Sequence, residues 1–454
     1  MDMTEGNILG QLIRFALPLL LGNLFQQLYN MVDTWVIGQT GDNAAYAAVG
    51  NVGPVTNIMV GFFVGFSTGA GVVISQYFGK KDFEMVKKAV HTAVAVTGIL
   101  CVVFTAVGVL MTPTVLRLML HVDPADPASM NVYYPAKRYL TIYFAGISGL
   151  LLYNIGAGIL RAVGDSTRPF IFLCVSTATN IVLDIVFVFL FDWGVTGVGL
   201  ATVTSQFASA VFAAVTLLRT DGCVKVKPSA LRIDGPILGK LVTVGLPAGL
   251  QTALTAFSNV FVQSYISGAD GVQEINMSAW TTYSKVDAVI FLPLQSLALS
   301  VTTFVGQNLG RNNVERARKG CFTAYFMALT CTVGLIVPIW LFAPYIAPFF
   351  NPSPDVVERA VMLLRFITPF ALCSCANQIF SGAMRGAGNS TAPMIIMLSN
   401  FVGMRQIYLF VMTRFISNAL LPIGMGYPFG WLCCMITTLV YYRFFFSYIG
   451  KKLV

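Results

Sequence analysis

The chain has 454 residues, of which 56% are hydrophobic and only 10% are charged, with a formal net charge of +9. Soluble domains carry about 25% charged residues, so this composition excludes a soluble enzyme, a disordered protein and a disulfide scaffold. Apolar runs of about 20 residues, without the alternation of a transmembrane β-strand, indicate an all-α polytopic membrane protein.

Twelve apolar runs are long enough to cross a bilayer as helices, each of which needs about 20 residues. Turn-forming residues separate them, for example at Gly41 and Asn351. The segment from His121 to Tyr134 is predicted to be the longest external turn. The runs are Ile13–Gly38, Ala47–Tyr77, Ala89–Met111, Leu140–Leu160, Phe170–Leu190, Val198–Leu218, Leu238–Gly268, Met277–Gly306, Cys321–Phe342, Val361–Met384, Pro393–Phe415 and Ile423–Phe445.

Lys and Arg residues concentrate in the connections that follow the even-numbered runs. Lys80 and Lys81 follow run two, Lys225 follows run six and Arg311 follows run eight, whereas the connections after runs one, five and seven hold none. The positive-inside rule therefore predicts an inner (plasma) membrane protein with both termini and the even connections in the cytoplasm. The net charge is then a topology signal, and no nucleic-acid partner is expected.

The second half of the chain repeats motifs of the first half, at offsets between about 224 and 231 residues. The repeat predicts two six-helix lobes related by a pseudo-two-fold axis along the membrane normal, with the functional cavity between them. We place the N-lobe at residues 1–219, a cytoplasmic linker at residues 220–236 and the C-lobe at residues 237–454. The paired motifs are RAVGDSTRP from Arg161 with RGAGNSTAP from Arg385, Leu17-Pro18 with Leu246-Pro247, and QYFGKKD from Gln76 with QNLGRNN from Gln307.

Two six-helix lobes with these motifs resemble the multidrug and toxic compound extrusion (MATE) family of secondary transporters, over essentially the whole chain. Val32-Asp33 near the end of run one makes the chain more similar to the bacterial DNA-damage-inducible-F-like (DinF-like) branch, whose ion-linked acids lie in the N-lobe. The resemblance implies efflux of cationic or amphiphilic organic compounds in exchange for H⁺ or Na⁺, by alternating access of the two lobes. We expect no other cofactor, no enzymatic activity and a monomer embedded in the lipid bilayer.

Five ionisable side chains fall deep within the predicted helices, where each costs about 2.5–3.5 kcal/mol on insertion scales. They are therefore the first candidates for function, and they are Asp33, Asp184, Lys285, Asp287 and Arg405.

Asp33 and Asp184 each have an amide side chain on the same helix face, since Asn30 lies three residues before Asp33 and Asn180 four residues before Asp184. Two carboxylates with amide and hydroxyl oxygens suit either a shared proton or an alkali cation. The alternative is that the two acids only bond neighbouring helices. In the family branch, an acid in run one, an Asn and an Asp in run five and a Thr in run six form the ion-linked site. The matching residues here are Asp33, Asn180, Asp184 and Thr202.

The C-lobe copy of this site lacks the acids. Aligned by the repeat, Asp33 falls opposite Gln263, and Asn180 and Asp184 fall near Met404 and Tyr408. Paired structural acids should survive in both halves, whereas a coupling site is needed only once.

Other polar residues are predicted to line or support the cavity. Lys285 and Asp287 cannot share a helix face, so Lys285 pairs across the cavity or snorkels, and Asp287 pairs with Arg405, unless these groups contact substrate. Pro18 kinks the first helix, either statically or as a bend linked to ion binding. The remaining supporting candidates are Gln26, Asn30, Asn154 and Gln263.

Three competing functions fit the sequence less well. A lipid-linked glycan flippase of the same superfamily tends to have fourteen spans and an arginine-rich cavity, whereas only Arg405 is deep here. An intramembrane enzyme needs a metal cluster or a nucleophile with a base, and the chain has two histidines, His91 and His121. A channel needs rings of pore charges, and none repeats.

Overall fold

The computed structural model describes residues 1–39, 43–120 and 127–453, and within these ranges the regular structure is entirely helical. The predicted turn at Gly41 and residues His121 to Asp126 lie outside the described residues. The α-helices are α1 Ile8–Gln39, α2 Asn43–Gly79, α3 Phe83–Leu120, α4 Pro127–Ala145, α5 Ile147–Ala162, α6 Thr167–Asp184, α7 Gly194–Arg219, α8 Gly235–Ser267, α9 Gln273–Gly310, α10 Val314–Phe350, α11 Pro354–Ile367, α12 Ala371–Gly386, α13 Thr391–Leu398, α14 Arg405–Val411, α15 Leu420–Gly424 and α16 Gly426–Leu453.

The predicted transmembrane architecture is confirmed. Ten helical stretches of the described chain are long and apolar enough to cross a membrane, and the pair Met130–Ala145 and Ile147–Ala162, bent by 45°, forms an eleventh span. The stretch from α11 to α12 covers run ten of the sequence but is interrupted by a 3₁₀ turn at Thr368–Phe370. The ten continuous stretches and the two interrupted ones, α4–α5 and α11–α12, cover the twelve predicted runs, which is consistent with twelve crossings.

Three local predictions need correction. Residues 127–134 are helical rather than an external turn, because α4 begins at Pro127, a residue that suits the first turn of a helix. Run four bends at Gly146, where a Cβ would collide with Val203 of α7. Run ten breaks at Pro369, which lacks the N–H that a continuous helix would need.

The two halves pack their first, fifth and sixth spans in the same way. In the first half α1 packs against α6, and α6 packs against α7. In the second half α8 packs against α13, and α13 packs against α16. Short π-helical segments continue α6 as Ile185–Leu190 and α13 as Ser399–Met404. These equivalent packings agree with the pseudo-two-fold arrangement of two lobes.

α2 and α8 form the main contact between the halves. Glycines allow their backbones to approach closely: a Cβ on Gly65 would meet the backbone of Ala248, and a Cβ on Gly69 would meet that of Gly245. Such small residues are the usual means of tight helix packing in membranes.

At one end of the contact between α2 and α8, a glutamine from each half bonds the opposite half. The Gln76 side chain donates to the Gly386 carbonyl at 2.9 Å, and the Gln307 side chain donates to the Ala162 carbonyl at 2.9 Å. Each glutamine therefore bonds the residue that follows the motif arginine of the opposite half, which is Gly386 after Arg385 and Ala162 after Arg161. The N-terminal segment adds to this end, because Met3 is fully buried and its N–H donates to Gln307 Oε1 at 2.9 Å.

The connection between α7 and α8 packs on the first half. Val224 and Val226 are buried. The Lys227 N–H donates to His91 Nε2 at 3.1 Å. This histidine therefore anchors the connection to α3.

Candidate functional site

The four predicted ion-site residues converge inside the first half. α1 supplies Asp33, α6 supplies Asn180 and Asp184, and α7 supplies Thr202. Asp33 is 9% exposed, and the other three are between 0 and 1% exposed. Asn180, Asp184 and Thr202 are all within side-chain interaction range of the Asp33 carboxyl. Residues about 150 positions apart in the sequence thus form one compact polar cluster.

Several oxygens of this cluster are buried and lack a hydrogen-bond partner among the described residues. They belong to both carboxylates, the Asn180 amide and the Thr202 hydroxyl, and comprise Asp33 Oδ1, Asn180 Oδ1, Asp184 Oδ1, Asp184 Oδ2 and Thr202 Oγ1. A buried oxygen without a partner is costly, and two carboxylates side by side repel each other. A proton between them, or a small hard cation bound by these oxygens, would relieve both costs.

Four further polar residues, which were not predicted from the sequence, surround the cluster. Tyr29 and Tyr139 lie close to Asp33 and Thr202, and Tyr143 lies close to Gln206. Helical spacing is the sequence feature that could have identified them. Tyr29 precedes Asp33 by four residues, Tyr143 follows Tyr139 by four and Gln206 follows Thr202 by four. Tyrosine is common in membrane helices for other reasons, so this spacing alone did not single them out.

The backbone beside Asp184 is irregular. α6 ends at Asp184, and a π-helical segment, Ile185–Leu190, follows at once. Such segments are rare and appear frequently at functional sites.

Gln26 and Asn30 lie in α1, the helix that supplies Asp33. Both side chains are exposed. Asn23 of the same helix donates from its Nδ2 to Ser296 Oγ of α9 at 3.2 Å, which ties α1 to the second half. Gln263 of α8 is also exposed.

Asn154 occupies a structural position. Asn154 is 7% exposed, its Nδ2 donates to the Leu150 carbonyl at 2.9 Å, and its own carbonyl accepts from the Ser67 hydroxyl of α2. It therefore holds α5 against α2, outside the acid cluster. Pro18 lies inside α1, which continues without interruption from Ile8 to Gln39.

The predicted pairing of Asp287 with Arg405 is not among the ion pairs of the described residues. Arg405 is 2% exposed and bonds Ser258 and Asn259 instead. Asp287 lies beside Tyr283.

Lys285 is exposed, with its Nζ 5.9 Å from the centre of the Phe350 ring. It lines a cavity of about 280 Å³ together with Glu274 and Thr281. It therefore points away from Asp287, as the two-residue spacing predicts.

The chain resembles known membrane transporters over nearly its full length. The MatE family model matches residues 18–186 and 247–410, one stretch in each half. Two Bacillus subtilis proteins, the probable multidrug resistance proteins YpnP and YoeA, are 26% and 27% identical. The YpnP match covers 98% of this chain and 96% of that protein, and the YoeA match covers 95% and 92%.

Solved structures of similar transporters share the fold. A MOP superfamily transporter from Pyrococcus furiosus superposes with a TM-score of 0.91 at 23% sequence identity, covering 99% of this chain and 98% of that one. The family match spans well over half of the chain and both of its halves. This multi-pass membrane protein therefore belongs to the MatE family of multidrug and toxic compound extrusion transporters.

Proposed function

We propose that this protein is a secondary active multidrug efflux antiporter, which exports cationic or amphiphilic organic compounds in exchange for H⁺ or Na⁺. The observation that carries the proposal is the pair Asp33 and Asp184, buried together with oxygens that lack partners, in one half only. The names of the relatives support the substrate class, since they include probable multidrug resistance proteins and the multidrug export protein MepA of Staphylococcus aureus.

The coupling follows from the charge of the cluster. A proton or Na⁺ that enters from outside neutralises one carboxylate and removes the repulsion between the two acids. The packing of α1 on α6 and α7 then changes, because the acids lie on these helices. Substrate held between the halves is released outside as the halves rearrange. Exchange of one monovalent cation for one H⁺ is electroneutral, whereas a second inward ion would gain about 2.3 kcal/mol per 100 mV.

The direct test is gradient-driven efflux from vesicles by Asp33→Asn and Asp184→Asn. Each variant should lose efflux while remaining folded in the membrane, because the amide keeps the shape of the carboxyl group but cannot exchange the ion. Asp192→Asn is the matched control: it lies in the same half, it is exposed, and its backbone φ of 54° suits Asn. Wild-type efflux by either acid variant would remove that residue from the coupling site. Imposing proton and sodium gradients separately identifies the driving ion.

The proposed orientation places both termini and the basic connections in the cytoplasm of a monomer in the inner membrane. Lys225→Cys and Val272→Cys, each in a background without the nine native free cysteines, should be labelled from opposite sides of the membrane. Val272 is 56% exposed, in a connection without basic residues. Labelling of both cysteines from outside the cell would contradict this topology.

A further inference from the structure

The second half encloses one arginine, Arg405, near the place that corresponds to the acid cluster of the first half, and we call the side chains that enclose it the Arg405 pocket. Ser258 and Asn259 of α8 fall opposite Tyr29 and Asn30 of α1 when the halves are aligned on the Leu-Pro pairs, and opposite Leu28 and Tyr29 in the register that pairs Asp33 with Gln263. Aligned on the motifs that begin at Arg161 and Arg385, Arg405 falls one residue after the counterpart of Asn180, and Tyr427 one residue after that of Thr202. The helices that carry these residues pack together in both halves.

Arg405 fills this pocket. Its Nη2 donates to Ser258 Oγ at 2.8 Å and to Asn259 Oδ1 at 3.0 Å, and its Nε donates to the Phe401 carbonyl at 3.1 Å. The guanidinium carbon lies 4.7 Å from the centre of the Tyr427 ring and 5.7 Å from that of Phe401. With 2% of its surface exposed, the arginine is enclosed by the protein.

All of these direct partners are electrically neutral, and the Asp287 carboxyl lies near Tyr283 and Tyr427 without bonding Arg405. Among the residues that the structure describes, no carboxylate forms an ion pair with Arg405. Burying an unpaired cation is expensive, and here oxygens and ring faces provide the compensation. Neutral oxygen acceptors combined with aromatic faces are the groups by which proteins recognise organic cations. The pocket is therefore built to hold a cation.

We propose that Arg405 is a tethered cation, which permanently occupies a pocket for guanidinium-like organic cations in the second half. The first half then keeps an exchangeable ion at its acid cluster, while the second half carries its cation covalently. This inference rests on the proposed coupling role of the first half, because it explains why only one half exchanges an ion. It assigns Arg405 neither to substrate binding nor to an ion pair with Asp287.

The test empties the pocket and refills it with a soluble cation. Arg405→Ala should lower the melting temperature of the purified transporter by several degrees, and millimolar methylguanidinium should restore much of that loss in a saturable manner. Methylurea, which has a similar shape but no charge, should restore none. Arg414→Ala is the matched control, since Arg414 is an exposed arginine of the same transmembrane span and should show no response.

Two outcomes would overturn the proposal. One is a melting temperature of Arg405→Ala that methylguanidinium does not raise above its effect on Arg414→Ala. The other is equal restoration by methylurea, which would show that only volume matters. If Arg405→Ala does not fold, Arg405→Lys and Arg405→Met decide, because the proposal requires the charged variant to be the more stable.

The same measurement separates this inference from the proposed function. Restoration should persist in an Asp33→Asn background, because the two pockets lie in different halves. Loss of restoration there would contradict a self-contained pocket in the second half. Wild-type efflux by Asp33→Asn, in contrast, would refute the coupling role of the first half and leave the binding result intact.

Discussion

At the scale of single residues, the two halves differ in the charge that each buries in corresponding regions of the repeat. The first half brings two acids together at Asp33 and Asp184, and the second half encloses one base, Arg405. Neutral oxygens surround the charges in both cases, on Asn180 and Thr202 in one half and on Ser258 in the other. Only the acids can change their charge by taking up an ion.

The neutral members of the acid cluster should matter less than the acids. Asn180→Ala and Thr202→Ala each remove a neutral side-chain group and leave both carboxylates, so we expect efflux to fall by only about tenfold, equivalent to about 1.4 kcal/mol. Initial rates of gradient-driven efflux, normalised to the amount of folded protein, measure this. Complete loss in Asn180→Ala, with normal folding, would show that the amide is as essential as a carboxylate.

Substrate affinity should depend on pH with a definite sign. Protonation of the acid cluster favours the state that has released substrate outside, so the affinity of the purified protein should fall as the pH is lowered. Asp33→Asn should flatten this dependence because it resembles the protonated form at every pH, and Asp192→Asn should retain it. Full pH dependence in Asp33→Asn would exclude Asp33 as the linked proton site. If Na⁺ alone lowers affinity at a fixed high pH, the cluster binds an alkali cation instead.

The sequence predicted the acid cluster because buried charges are expensive and therefore conspicuous. Asp33 and Asp184 stand out in apolar runs, and their absence from the second half marked them further. The surrounding tyrosines were not predicted, since Tyr139 joins the cluster only through the packing of α4 against α7. The predicted partner of Arg405, Asp287, was wrong. The sequence cannot show that Ser258 and Asn259, rather than Asp287, lie within hydrogen-bond distance of the guanidinium.

At the scale of helices, hydropathy predicted twelve apolar runs that the described helices cover, but it did not predict the breaks in two of them. Apolar composition is continuous through Gly146 and through Pro369, so both runs were predicted as single helices. The bend at Gly146 depends on Val203 of a neighbouring helix, which is a tertiary contact. The π-helical segment after Asp184 likewise leaves no trace in the hydrophobic period.

The contact between α2 and α8 should be sensitive to a single methyl group. Gly69→Ala places a Cβ against the Gly245 backbone, which cannot yield as a flexible side chain could, so we expect a loss of about 1–3 kcal/mol. Gly98→Ala in α3 is the control, since a Cβ there meets nothing within 4 Å and Ala favours a helix. Thermal unfolding of the two purified variants measures the difference. Equal melting temperatures of the two variants would mean that α2 and α8 can move apart to make room for the methyl group without a loss of stability.

At the scale of the whole molecule, the pseudo-two-fold arrangement explains why the glutamine motifs occur twice. Gln76 and Gln307 each cross to the opposite half, where Gln76 bonds the carbonyl of Gly386 and Gln307 bonds that of Ala162. If only one of these two contacts had a function, the chain would not need to repeat both the glutamine motif and the arginine motif that the glutamine bonds. The motif pairs were recognised from the sequence, but their crossed pairing required the structure, because the repeat alone is equally compatible with contacts inside each half.

These crossed bonds should hold one end of the transporter closed, and the N-terminal segment makes them unequal. Gln307→Ala loses its bond to Ala162 and also strands the buried N–H of Met3, whereas Gln76→Ala loses only its bond to Gly386. An unpaired buried donor costs about 1–3 kcal/mol, so Gln307→Ala should shift the molecule further toward opening at this end. A cysteine introduced at Ser300, which is fully buried, reports opening through its rate of labelling by a membrane-permeant maleimide.

The expected order of labelling rates is Gln307→Ala above Gln76→Ala, and both above wild type. Gln273→Ala is the control, because Gln273 lies at the opposite end of α9, where its side chain bonds Ser267. The labelling rate of this variant should equal that of wild type. Equal rates for the two glutamine variants would show that the N-terminal segment adds nothing to closure. Rates no faster than that of the control would show that the crossed bonds do not limit opening, and that the close packing of α2 on α8 holds this end by itself.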